Sequence, residues 1–331
     1  MSAATTKQWN PVPIAAFVVV MFISGFFMTP PDATFSTPFF FNDIVDFSGL
    51  YDISSAASYI LGTFFTLLTA AIFIPIVKSA GSGNIYFPSL IFLSIVVSNP
   101  LSIHFSPYHV EALCLAAAIS QYAAITGWKD SAEHYLYAGI FLSVGVCFNP
   151  HFFWAALLIL AISLLARTED FSRTLVASIL SFIFPFAVVF ALKYISGGFH
   201  STLEDFRTFL SQFIEKSPET NFHFSVATLA RISAWSILTF ICAITRIKFI
   251  QRYNTARRLL LFKIMGLLPV ILAVTLIFAS DSSYPYILPV AVPVTLILND
   301  SASSEKPDRR IITTWSIVIA ISLFERISYL L

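Results

Sequence analysis

The residues able to do chemistry lie in the short stretches that interrupt an otherwise apolar chain. FNDIVDFSGLYD, residues 41–52, carries Asp43, Asp46 and Asp52, with Asp32 upstream and no Lys or Arg between residues 28 and 54. SIHFSPYHVE, residues 102–111, supplies His104, His109 and Glu111, and FNPH, residues 148–151, supplies Asn149 and His151. Residues 196–225 add His200, Glu204, Asp205, Arg207, Glu215, Lys216, Glu219 and His223, and Asp281 follows. A carboxylate can take a proton from an attacking hydroxyl. Histidine, amide and guanidinium groups can stabilise a departing phosphate. Asp46 or Asp43 is thus a candidate base, and His151, His109, Asn149 and Arg231 are candidate phosphate ligands. Each also has a plainer reading. The loop residues can be solvated, FNPH can be only a turn, and Arg231, in SVATLARISAWSILTF, can snorkel to the interface. Glu325 and Arg326 invite the same pair of readings.

Several chemistries have no support. There is no HExxH and no two-histidine, one-carboxylate run, and His104 and His109 flank Pro107 instead of sharing a helical face, so no metal is expected. GxSxG, Walker A and GxGxxG patterns are absent, so no cofactor is expected. Neither a basic arm nor zinc-ligand spacing points to nucleic acid.

The elements that must position these residues are membrane helices. Of 331 residues 57% are hydrophobic and 11% charged, and the mean hydropathy is +0.82. Water-soluble domains carry roughly 25% charged residues. Apolar runs separated by polar breaks predict about eleven spans of the length a bilayer needs. They cover 12–29, 54–77, 85–103, 108–127, 134–148, 151–166, 174–195, 226–246, 260–280, 284–299 and 311–331. No repeat or linker divides the chain, so residues 1–331 are expected to form one all-α transmembrane domain. No small-residue cleavage site follows the first apolar run, which is therefore read as a retained helix.

Basic residues orient the spans. With the N-terminus inside, Lys7, Lys78, Lys129, Arg167, Arg173, the cluster at 246–263 and Lys306–Arg310 all fall inside, while the outer connections hold only Lys193, Arg207 and Lys216. This positive-inside alternation predicts N-in and C-out. All six histidines but His134 then lie on the outer side. Residues 134–166 would measure roughly 50 Å as one helix, too long for one crossing. Lys129 and Arg167 put both ends inside, so FNPH becomes an outer hairpin turn, recessed because its arms are short.

Within 196–225, Leu203, Phe206, Leu210, Phe213 and Ile214 recur at three- and four-residue steps, and Ser201 and Glu204 have capping-box spacing. An amphipathic helix over 202–216 in the outer interface is expected. Pro285, Pro289 and Pro293 in SSYPYILPVAVPVTLILN predict a kinked helix packed within protein. Cys114, Cys147 and Cys242, in apolar runs without CxxC, are read as small core residues.

Two resemblances accompany these patterns. SGNIYFPSLIFLSIVVSNPLSI, the hairpin FNPHFFWAALLILAISLL and RTEDFSRTLVASILSFIFPFAVVFALKYISGGF resemble an uncharacterised family of polytopic inner-membrane proteins of Bacteroidetes, over roughly residues 80–300. That implies a location in the bacterial inner membrane and a span count, but no activity. The acidic first outer loop, the polar hairpin turn and the late YPYILPVAVPVTLIL are also similar in layout to GT-C-class glycosyltransferases. That resemblance implies a GT-C-like fold, a polyprenyl-phosphate-linked sugar as donor and an acidic residue at Asp43 or Asp46. This chain departs from the class in lacking an adjacent Asp-Glu pair, and in having Asn149-Pro150-His151 where a lysine is common. Three functions stay open: a lipid-linked-sugar transferase, a non-enzymatic scaffold of envelope machinery, and a transporter.

Overall fold

The computed structural model describes residues 11–27, 55–80, 85–125, 131–149, 152–164, 171–198, 226–247, 287–302 and 307–330, with positions 200, 201, 203, 204, 207 and 266. Among the described residues all regular structure is helical. The α-helices are α1 (Val12–Phe26), α2 (Ser55–Ala80), α3 (Phe87–Ser98), α4 (Pro107–Ala124), α5 (Ser131–Phe148), α6 (Phe152–Leu164), α7 (Phe171–Ser196), α8 (Val226–Ile247), α9 (Ile287–Ala302) and α10 (Pro307–Leu330), with a 3-10 turn at Pro100–Ile103. The apolar runs therefore locate the helices well. The expected span at 260–280 lies outside the described residues except for Gly266.

Local sequence sets the helix ends. Pro107 opens α4 at a position whose N–H needs no partner, after an extended Ser106 (φ −150°, ψ 163°). One boundary differs from the expected 85–103. Helix α3 stops at Ser98 because Asn99 precedes Pro100 and is held extended at φ −102°, ψ 111°. Helix α7 ends on Gly197 at φ 80°, where the Gly198 N–H reaches the Lys193 carbonyl at 2.9 Å. A left-handed residue at this position satisfies the last carbonyls at no steric cost to glycine.

Helices α3 and α9 form the centre. Helix α3 packs on α1, α2, α9 and α10, and α9 packs on α3, α4, α8 and α10. Residues 287–300 are buried throughout, as the proline-rich run predicts, with Pro293 inside the helix. On the other flank α5 lies against α4, α6 and α7. Small residues allow the α5–α7 approach: a Cβ on Gly139 would lie 1.9 Å from Ser181 Oγ and 3.2 Å from the Ser178 carbonyl oxygen. The three cysteines are free thiols and buried, as read from their apolar context.

Polarity is arranged with many hydroxyls inside and large apolar groups outside. Ser94, Ser98 and Ser143 are fully buried, while Leu180 and Phe184 on α7 are 61% and 60% exposed. Two helices, over Ala56–Ser79 and Phe171–Ser196, are long and apolar enough to cross a membrane by length and composition, and shorter apolar helices accompany them.

Candidate polar site at one end of the bundle

Antiparallel packing brings the C-terminal ends of α1, α3, α5 and α10 to the N-terminal ends of α2, α4 and α6. The contacts are specific. The Phe105 N–H lies 3.1 Å from both the carbonyl oxygen and the hydroxyl of Ser58, tying the α3–α4 connection to the start of α2. Gly62 makes this crossing possible, because a Cβ there would lie 2.0 Å from the Ile103 carbonyl oxygen and 2.8 Å from the Phe105 nitrogen. Only a residue without a side chain lets two backbones pass this closely.

The first polar group joins α4 to the α5–α6 hairpin. The Asn149 amide donates to Glu111 Oε2 at 2.5 Å, with both side chains buried. The hairpin is a turn, as expected: the Phe152 N–H donates to the Asn149 carbonyl at 2.9 Å. Asn149 therefore faces inward, to a carboxyl group of the chain itself. Glu111 was expected among the loop carboxylates, but α4 begins at Pro107 and carries Glu111 into the interior. Cys114, one turn further along α4, packs beneath, 3.2 Å from where a Cβ on Gly145 would be.

His109 also serves the fold. Its Nδ1 accepts from the Ser106 N–H at 3.2 Å and lies 3.0 Å from Ser106 Oγ, completing a reciprocal cap on α4. Histidine here takes the place usually held by Glu or Gln. The signal was present in sequence as Ser106-Pro107-Tyr108-His109, but a cap with histidine at its third helical position is easily passed over. As a phosphate ligand His109 is thus already engaged through Nδ1, and its ring is 1% exposed.

The second polar group lies between α1, α2 and α10. Arg326 is 6% exposed, and its Nη2 donates to Ser24 Oγ at 2.7 Å. The Ser24 hydroxyl in turn donates to the Met21 carbonyl at 2.9 Å. Arg326 Nη1 is buried with no hydrogen-bond partner among the described residues. The Tyr59 hydroxyl donates to the Phe22 carbonyl, and its ring meets His104 edge-on at 5.8 Å between centroids. One arginine near a helix end has no distinctive pattern, so Arg326 does not stand out in sequence.

The remaining expectations divide as follows. Asp43, Asp46 and His151 lie outside the described residues. Arg231 is in α8, and its side chain is likewise outside them. Lys193, expected in an outer connection, is instead in the last turn of α7 and 1% exposed. Of residues 202–216, positions 203, 204 and 207 are helical, with Leu203 48% exposed. Ser201, expected at the start of that helix, is itself helical, and its hydroxyl donates to the Gly198 carbonyl at 2.7 Å. Among the described residues no three His, Cys, Asp or Glu side chains gather as a metal site.

A family model described as a family of unknown function (DUF6427) matches residues 47–330, and the chain belongs to that family. No curated protein and no solved structure matches it.

Proposed function

We propose that this member of the family is a multi-pass protein of the bacterial inner membrane, with about eleven spans, N-in and C-out, that transfers a sugar from a polyprenyl phosphate to a hydroxyl acceptor at the outer leaflet. The apolar exterior supports the membrane reading. A helix such as α7, with Ile179, Leu180, Ile183 and Phe184 all about half exposed or more, would not be stable facing water. The observation that carries the site is the buried Arg326 at the end of the bundle where α1 finishes and α2 begins. Helices α1 and α2, which flank the acidic stretch in sequence, carry Ser24 and Tyr59 at that end. Asp46, or Asp43, acts as base on the acceptor, and cationic and hydrogen-bonding groups receive the phosphate. The sugar-phosphate bond breaks as the acceptor oxygen bonds the anomeric carbon, and the carboxylate takes the hydroxyl proton.

The test compares lipid-linked and surface glycans in cells with the gene, without it, and with Asp46→Asn. The variant should reproduce the deletion while keeping normal protein abundance. Unchanged glycans on deletion of the gene would remove the transferase reading. A scaffold reading would then stand, and one observation favours it already: Glu111, Asn149 and His109, three of the polar residues nearest the hairpin, are engaged with the fold's own groups.

A further inference from the structure

We infer that Arg326 and Ser24, framed by α1, α2 and α10, form a seat for the phosphate of an anionic lipid headgroup. The inference rests on the membrane-spanning reading, not on the transferase chemistry. Guanidinium carries five N–H donors in a rigid plane. Here one is committed to Ser24 Oγ, and that hydroxyl is anchored to the Met21 carbonyl, so the plane is fixed. Nη1 is buried and has no partner among the described residues. A buried, unsatisfied cationic donor is costly, and an acceptor with two or more oxygens relieves that cost best. Gly25 keeps α1 close: a Cβ there would be 3.9 Å from Nη2 and 2.8 Å from Ile103 Cδ1.

The surroundings select a lipid over a free ion. The three helices that frame the arginine present apolar side chains outward: Ile23 and Phe26 on α1, Ile60 on α2 and Phe324 and Ile327 on α10 are 49–66% exposed. A free phosphate gains nothing from such a rim. A phosphate ester with acyl or prenyl chains places its head on the guanidinium and its chains along these side chains, as interfacial arginines do in membranes. The Tyr59 hydroxyl is committed to the Phe22 carbonyl, and its ring packs edge-on against His104.

The experiment is native mass spectrometry of the full-length protein in detergent, titrated with dioleoyl phosphatidic acid, dioleoyl phosphatidylcholine or inorganic phosphate. The wild type should retain one phosphatidic acid about ten-fold more tightly than the zwitterionic lipid, and Arg326→Gln should lose about that factor. Arg326→Lys, which keeps a charge without the fork, should fall between them. If Arg326→Gln does not give a monodisperse protein, the loss in Arg326→Lys decides the matter. Equal retention of phosphatidic acid by wild type and the folded variants would overturn the proposal. Displacement of the lipid by inorganic phosphate at equal concentration would overturn the lipid assignment. Because binding is read without turnover, a failed transferase assay leaves this result independent.

Discussion

Two polar groups share one end of the bundle and differ in what they leave unpaired. Around Glu111, the Asn149 amide meets the carboxyl group and His109 Nδ1 completes the Ser106 cap, and what is left is an imidazole nitrogen, His109 Nε2, buried with no hydrogen-bond partner among the described residues. Around Arg326, one nitrogen is anchored on Ser24 while another is buried without a partner among the described residues. Polar contacts between the chain's own groups fix a fold, and removing one partner of such a contact is destabilising. A cation held rigid but incompletely paired is instead available to something outside the chain. The first group joins α4 to the hairpin through Glu111 and Asn149, and the second is the proposed lipid seat.

Substitutions can break this contrast. The largest expected effect lies beneath both groups, at Gly62. Alanine there would put its Cβ into the Ile103 and Phe105 backbone, which cannot swing aside like a side chain. Gly62→Ala should cost at least about 3 kcal/mol, read as a lowered thermal midpoint or loss of folded protein in detergent. Wild-type stability in that variant would mean that the 103–105 crossing is not a fixed part of the fold.

Asn149→Ala leaves the Glu111 carboxyl buried without its amide and should cost about 2 kcal/mol. The double variant Glu111→Leu, Asn149→Leu should recover part of that loss, because both partners go together. A thermal-unfolding cycle over the four proteins measures the coupling, and additive effects would show that the pair is not what joins α4 to the hairpin.

His109→Ala removes one half of the α4 cap and should cost about 1 kcal/mol. His109→Gln, which suits the same reciprocal cap, should restore most of it. Failure of glutamine to rescue would indicate that the ring is needed for more than capping.

The smallest effect on stability is expected at Arg326. Arg326→Gln loses the bond to Ser24 but also relieves the burial of a charge, so the net change should stay within about 1 kcal/mol. Lipid retention should fall in the same protein. A loss of several kcal/mol would place Arg326 with the structural group and erase the distinction between the two.

Much of the helical layout was legible in sequence. The apolar runs reach the core helices within a few residues, and Phe148-Asn149-Pro150-His151 reads as a turn because proline cannot continue a helix. The candidate site was less legible. Asn149 and His109 carry side chains able to bind phosphate, and the bundle turns both toward its own polar groups. Glu111 and Asn149 are 38 residues apart, and no local pattern announces a pair formed by two separate hairpins. Arg326 and Ser24 are 302 residues apart for the same reason.

The sequence by itself determined composition, the positions of helices and several of their ends, because hydrophobic run length, proline and glycine act on neighbouring residues. Tertiary structure alone decided which polar groups meet. Ser106 could cap α4 from four residues of local sequence, whereas the carboxyl of Glu111 found its amide, and Arg326 its hydroxyl, only when distant helices packed side by side. Which donors are then left incomplete is a property of that packing, since a hydrogen bond needs its partner within about 3 Å and in line, and sequence separation carries no such distance.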